Sequence, residues 1–346
     1  MAKNVYLVTG AAGHLGGWVI RLLLARGQEV RGLLLPGEKL RPDVQAEPAA
    51  AEKLQTVVGN VCDPASLDAL FAGLGGRAIV LHCAGIITIA GRPDERVRSV
   101  NVGGTQNVIS ACLRHQAQRL VYVSSVHALP VLPVGTVQAE ITHFDPEQVH
   151  GAYAKTKAEA TQAVLDAAQA GLNAVVVQPS GMLGPYGNAT GNLTRLMNSF
   201  LEGRLPVAVQ GGFDFVDVRD VAAGVVLAAE KGESGQCYLL TNRYYGVREL
   251  LTLLAQVSGQ RPTRVYLPCW LARAFAPFAE ANDRRRGRPP LFTAYSLDTL
   301  SQNALYTHQK AERALGYTVR PMRDTLCDIA ADFKGQTPVI GCPSNI

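Results

Sequence analysis

The chain has 346 residues, 47% hydrophobic and 18% charged, with a formal net charge of +5. That balance fits one large α/β domain or a domain and a half with an ample core, and it excludes a disordered or fibrous chain. Arg and Lys are scattered except at Arg284, Arg285, Arg286 and Arg288, so the charge gives no reason to expect a nucleic-acid partner.

In chain order, the first strand pattern starts at once, Val5 to Thr9, and leaves no signal peptide ahead of the fold. Thr9, Gly10, Ala11, Ala12, Gly13, His14, Leu15 and Gly16 follow it and open a helical stretch, His14 to Ala25. A glycine loop between a strand and a helix lets helix N-terminal amides meet a pyrophosphate while the backbone approaches closely. The next strand, Val30 to Leu35, ends without a carboxylate at its tip and is followed by Glu38, Lys39 and Arg41. An acid near this point holds an adenine ribose, whereas a nearby Arg admits a 2′-phosphate. The pattern leans toward NADP, with NAD left open by Glu38.

Thr56 to Val58 leads into Asn60 and Val61, a helix follows at Ser66 to Phe71, and Ala78 to His82 leads into Cys83, Ala84 and Gly85. These strand ends are expected walls for adenine and ribose or, equally, turn residues, and His82 by itself reads rather as a packed imidazole. Glu95 to His115 reads as a helix, Leu120 to Ser124 as a strand, Tyr153 to Ala170 as a helix and Ala174 to Gln178 as a sixth strand. Alternating strands and helices predict an α/β fold, a doubly wound parallel sheet of Rossmann type.

Beyond Pro179 Gly and Pro become more frequent and strands sparser. A smaller, partly interleaved C-terminal substrate lobe is expected over 181–334, with residues 214–240 returning to the dinucleotide domain of residues 1–180. Helices are expected at Asp220 to Glu230, Leu250 to Val257, Trp270 to Phe278, Lys310 to Leu315 and Met322 to Phe333, and residues 335–346 as a loose tail. Seven cysteines stand singly, without Cys-x-x-Cys or metal-like spacing with His. No metal is expected, and reduced thiols point to the cytoplasm. No apolar run is long enough to span a membrane.

The chemistry concentrates in Tyr153, Lys157, Ser124 and Ser125. On a helix, positions i and i+4 share a face, so Lys157 is expected beside Tyr153, lowering a phenol pKa that is ordinarily about 10. Such a tyrosine trades protons with an alcohol or carbonyl oxygen.

With these motifs in place, the chain resembles the extended branch of the short-chain dehydrogenase/reductase superfamily. The resemblance runs through Thr9 to Gly16, the Asn60 segment, His82 to Gly85, Asn101 to Thr105, Tyr122 to Ser125, Tyr153 to Lys157, Gln178 to Gly181, and Phe215 to Ala222. It implies Tyr153 as general acid/base, Lys157 as its partner and ribose ligand, and Ser125 as the hydroxyl polarising the substrate oxygen. Asn101 would support the lysine side, and the backbone at Pro179, Ser180 and Gly181 would meet the nicotinamide amide. Gln178 stands where an arginine is often found, and Asn60 where an aspartate is usual. Within the branch the chain looks most like dihydroflavonol reductases and 3β-hydroxysteroid dehydrogenases, also through Pro290 to Ser296 and His308 to Tyr317. A homodimer pairing Glu95 to His115 with Tyr153 to Ala170 is common in this superfamily, and the resemblance makes it possible here.

These readings converge on an NAD(P)-dependent ketone reductase or secondary alcohol dehydrogenase for a small hydrophobic substrate, steroid-like or flavonoid-like. The apolar segments Ile86 to Ala90, His127 to Leu132 and Met182-Leu183 are expected to wall the substrate, with Ile86, His127 and Met182 touching it. The rival enzyme is a nucleotide-sugar epimerase or dehydratase, which needs Arg195, Arg204, Arg243, Arg248 or the Arg284 to Arg288 loop to hold a second diphosphate. A non-catalytic dinucleotide sensor is the rival from another class, and the joint presence of Ser125, Tyr153 and Lys157 counts against it.

Overall fold

The computed structural model describes residues 3–88, 94–189, 191–274 and 294–338. Its central sheet has seven strands: β1 (Val5–Thr9), β2 (Glu29–Leu34), β3 (Leu54–Val58), β4 (Ala78–His82), β5 (Arg119–Val123), β6 (Ala174–Pro179) and β10 (Cys237–Leu240). Their order is β10-β6-β5-β4-β1-β2-β3, and every neighbouring pair is parallel. The sequence reading located six of these strands within one or two residues and passed over β10, an apolar run too short to tell from buried helix by period. The strand order reverses between β1 and β4, so Thr9 and His82 flank the crevice where a doubly wound sheet takes its ligand.

Both faces of the sheet are covered, which is why its strands are nearly continuous apolar runs. Leu7, Val80, Leu120 and Val176 face one core, while Val8, Leu81, Val121 and Val177 face the other. The first core is closed by α2 (Pro64–Phe71), α3 (Gly104–Arg114) and α4 (Ala152–Gln169), the second by α1 (His14–Ala25) and α6 (Val218–Lys231). Glu95 to His115, expected as one helix, is a rod with a defect. Residues 95–98 are α-helical, Ser99–Gly103 form a π turn, and α3 continues the rod. Asn101 sits in that turn, a distortion that is frequent at functional sites.

The second half carries more strand than expected, in short pieces. β7 (Gly181–Leu183), β9 (Gly212–Asp217) and β11 (Arg243–Gly246) form a three-stranded sheet, and β8 (Val207–Val209) pairs with β12 (Val265–Leu267). Around them lie α5 (Asn192–Leu201), α7 (Val247–Ser258), α8 (Ala294–Ser301), α9 (Gln309–Leu315) and α10 (Met322–Phe333). Residues 269–274 are helical, while the rest of the helix expected to Phe278, the Arg284 to Arg288 loop and residues 339–346 lie outside the described residues. No described helix is long and apolar enough to cross a membrane.

The Asp217 to Asp220 motif ties the two halves together. Asp217 caps α6 by accepting the Arg219 amide at 2.7 Å and holds the Arg219 guanidinium through both oxygens, at 2.9 and 2.7 Å. Arg219 also reaches Asp328 on α10 at 2.6 Å, and Asp220 receives Arg320 at 2.7 Å. Burial alone would raise the Asp217 carboxyl, but the bonds and charge of Arg219 and the charge of Arg320 hold it below its usual value.

Candidate active site

The glycine loop is built for close backbone approach. Gly10 has φ +67°, and a Cβ there would stand 2.8 Å from the Ala84 amide nitrogen at the end of β4. A Cβ on Gly16 would collide with the Gly10 carbonyl. Among the described residues no side chain caps α1 at Gly13, so its first-turn amides at His14, Leu15 and Gly16 are open to an anion. This cradle fits a pyrophosphate. The His14 side chain turns away from it to the Pro185 carbonyl at 3.0 Å, and burial lowers its pKa to about 4.

At the tip of β2 the structure places both Glu38 and Arg41. Arg41 forks onto Asp43 at 3.0 and 2.8 Å, donates to the His14 carbonyl at 3.0 Å, and lies against the Trp18 and Tyr186 rings. It is therefore committed beneath α1 and is not a free phosphate ligand. The Glu38 carboxylate folds back to accept the Leu35 amide at 3.0 Å. An acid thus does stand at the strand tip, delivered by the loop rather than by the strand.

Four other expected dinucleotide residues are engaged structurally. Asn60 accepts the Cys62 amide at 2.9 Å, and Val61 is packed against Gly104. His82 is fully buried between Thr9 and Thr105, at 2.7 and 3.1 Å, and burial with the nearby Lys157 charge lowers its pKa to about 3. Ser124 bonds Thr161 at 2.5 Å, and that hydroxyl donates to the Lys157 carbonyl at 2.6 Å. These side chains shape the crevice from behind. The Cys83 thiol beside them is pushed up to about 12 by burial. On the opposite wall, Gln178 donates to the Ser125 carbonyl at 3.4 Å, Ser180 donates to Asp214 at 2.5 Å, and Gly181 lies under the Phe215 ring.

Tyr153, Lys157, Ser125 and Asn101 come together at the carboxyl ends of β4 and β5. Ser125 stands beside the Tyr153 phenol and draws its pKa down, while its Oγ accepts the His127 amide at 3.2 Å. Lys157 donates to the Val123 carbonyl at 2.8 Å and to the Tyr122 hydroxyl at 3.3 Å. Asn101 brackets Ile86, accepting its amide at 2.8 Å and donating to its carbonyl at 3.0 Å, and donates to Thr156 at 3.1 Å. Gly85 fits between them: a Cβ there would stand 3.3 Å from Asn101 Oδ1 and 3.5 Å from Lys157 Nζ.

One electrostatic expectation is corrected. The phenol of Tyr153 is not lowered; burial pushes it up to about 12 against the downward pull of Ser125. Desolvation dominates, and the ammonium that was expected to counter it is bonded to Val123 and Tyr122. The same burial lowers Lys157 to about 8.

The wall beside the phenol is aromatic. His127 meets the Tyr153 ring edge-on at 5.9 Å and stacks on Phe213 at 5.4 Å, and Phe213 meets Tyr306 at 6.3 Å. Burial holds His127 at about 4, so its imidazole is neutral. Tyr295 on α8 covers Gly151, whose φ of +98° leads into α4 two residues before Tyr153. Phe213, Tyr306 and Tyr295 escaped the sequence reading as wall residues; Tyr295 lay in a segment singled out only for resemblance. Met182 is misplaced by that reading. On β7 it pairs with Val216, and alternation puts it across the small sheet from Phe213 and Phe215, beside His14 and Asp332. Ile89 and Ala90 lie outside the described residues, and Ile87 is 65% exposed.

Of the arginines a diphosphate would need, Arg204 pairs with Glu202, Arg243 with Glu249 at 2.6 Å, and Arg248 lies over the Tyr266 ring. Phe213→Ala should raise the KM of an accepted ketone on the order of 10-fold or more while leaving kcat within a few-fold, since it removes ground-state packing. Steady-state kinetics read both terms.

The chain is 30% identical to sterol demethylase protein B of Methylococcus capsulatus over 95% of this chain and 98% of the relative. It is 29% identical to human 3 beta-hydroxysteroid dehydrogenase type 7, covering 91% of each. The crystal structure of gox2253 superimposes with a TM-score of 0.81 at 31% identity, over 96% of this chain and 98% of that one. The model of the NAD dependent epimerase/dehydratase family matches residues 6–241. The chain belongs to that family and is an NAD(P)-dependent oxidoreductase of the extended short-chain dehydrogenase/reductase type.

Proposed function

We propose that this enzyme interconverts a hydrophobic ketone and its secondary alcohol, with Ser125, Tyr153 and Lys157 as the proton-handling side. The observation that carries this reading is the buried Tyr153 phenol beside buried Ser125, set into an aromatic wall. Nicotinamide, when bound, supplies or accepts the hydride. Ser125 and Tyr153 both address the carbonyl oxygen, and Tyr153 gives it a proton in the reducing direction. Lys157 provides the positive charge behind them. The names of the sterol-related relatives and the ring-lined wall support a flat, largely apolar substrate of steroid-like or flavonoid-like size. The test is a cofactor-oxidation screen over steroid, flavonoid and small carbonyl panels, with a nucleotide-sugar panel in parallel. Turnover of a hydrophobic carbonyl is expected; turnover or tight binding of a nucleotide sugar alone would move the assignment to an epimerase.

On the cofactor, the placement of Arg41 and Glu38 supports NAD over the NADP lean of the sequence. Arg41 is spent on Asp43 while Glu38 stands at the β2 tip, so we read NAD as preferred, its ribose hydroxyls meeting a carboxylate that repels a 2′-phosphate. Glu38→Lys should shift the NADP-to-NAD ratio of dissociation constants on the order of 10-fold toward NADP, about 1.4 kcal/mol. Fluorescence titration of both cofactors checks it, and a wild-type preference for NADP would refute the reading. The homodimer stays part of this proposal and is read by light scattering.

A further inference from the structure

Lys157 stands among buried polar groups. Its ammonium donates to Tyr122 Oη at 3.3 Å and lies 4.8 Å from the centre of that ring. Tyr122 is fully buried and stands beside Thr105. Thr105 Oγ1 donates its proton to the Asn101 carbonyl at 2.7 Å, leaving it only acceptor capacity. His82 Nε2, 3.1 Å away, must therefore donate to it. With its proton on Nε2, His82 accepts at Nδ1 from the Thr9 hydroxyl at 2.7 Å, and Thr9 accepts the Ala84 amide at 3.2 Å. Donors and acceptors from Thr9 to Thr105 close with one assignment of protons, and Thr105 ends that run beside Tyr122.

We propose that Tyr122 is a positioning residue whose buried hydroxyl, beside Thr105, holds the Lys157 ammonium in place. The functional weight of this rests on the reading of Lys157 given above. The titratable groups facing Lys157 are Tyr122 from β5, His82 and Cys83 from the end of β4, and Tyr153 on its own helix. Burial keeps His82 and Cys83 uncharged near neutrality, so Lys157 is the charged member of the set. A hydrogen bond to the charged form favours it, so deleting the Tyr122 hydroxyl lets the lysine lose its proton at lower pH.

The experiment follows the Lys157 side chain by NMR with isotope-labelled lysine in the full-length protein, its signal assigned with Lys157→Met. In Tyr122→Phe the titration midpoint should fall by about half a unit or more. In Thr105→Val it should fall by less, and Thr105→Ser should restore it. The alkaline limb of turnover should move down with the midpoint. An unmoved midpoint in folded Tyr122→Phe overturns the proposal. If Tyr122→Phe does not fold, an unmoved midpoint in Thr105→Val does so instead. Should the wild type reduce no carbonyl compound while the midpoint shifts as expected, the assigned reaction fails and the positioning role stands.

Discussion

Tyr153→Phe should lower turnover of an accepted ketone by a factor on the order of 10²–10⁴, the usual worth of a positioned general acid. The substitution keeps the ring that meets His127 edge-on and removes only the oxygen that Ser125 addresses. Cofactor affinity and thermal stability should stay near wild type, so kcat rather than folding carries the loss. The pH dependence follows from the same environment. With the phenol pushed up to about 12, Tyr153 is protonated throughout the neutral range and is ready as a donor. Lys157, lowered to about 8, is the first of the pair to lose its proton as pH rises. Reductive turnover should therefore be flat below that point and fall on the alkaline side. Retention of wild-type kcat in Tyr153→Phe would refute the acid/base role.

Arg219→Met should cost about 3–5 kcal/mol of folding stability, the typical penalty for removing one partner of a buried ion pair. Two buried carboxylates lose their bonded guanidinium at once, because Arg219 serves both Asp217 and Asp328, and neither side chain is more than 9% exposed. Urea unfolding with a tryptophan or circular-dichroism readout checks the loss. Adding Asp217→Asn should recover part of it, since the amide keeps the cap on α6 while removing one stranded charge. A single variant within about 1 kcal/mol of wild type would contradict the account.

What the sequence disclosed follows from the range of each interaction. β1 and β4 were read to the residue, and α1 and α10 likewise, because buried runs and periodic stretches are local signals. Tyr153 and Lys157 were legible for the same reason: one helix turn fixes their relation. The sign of the Tyr153 shift was not, because desolvation depends on every element packed around the phenol. Arg41 looked available until Asp43, two residues on, folded back onto it. Phe213 reaches His127, and Tyr306 reaches Phe213, from distant parts of the chain, and no periodicity announces contacts of that kind. Met182 was placed on the wrong side because short β7 offers too few residues to read an alternation.

The place of β10 in the central sheet bears on how the chain is made. β6 ends at Pro179, yet the strand that covers its edge begins only at Cys237, after β7, β8, β9 and α6. During synthesis the nucleotide-binding half must wait, with Val175, Val176 and Val177 presenting an open strand edge, until much of the second lobe has left the ribosome. An exposed apolar edge is a template for pairing with other chains. A fragment ending near residue 180 should therefore aggregate rather than fold, and expression of the whole protein should benefit from slow translation or a chaperone that shields that edge.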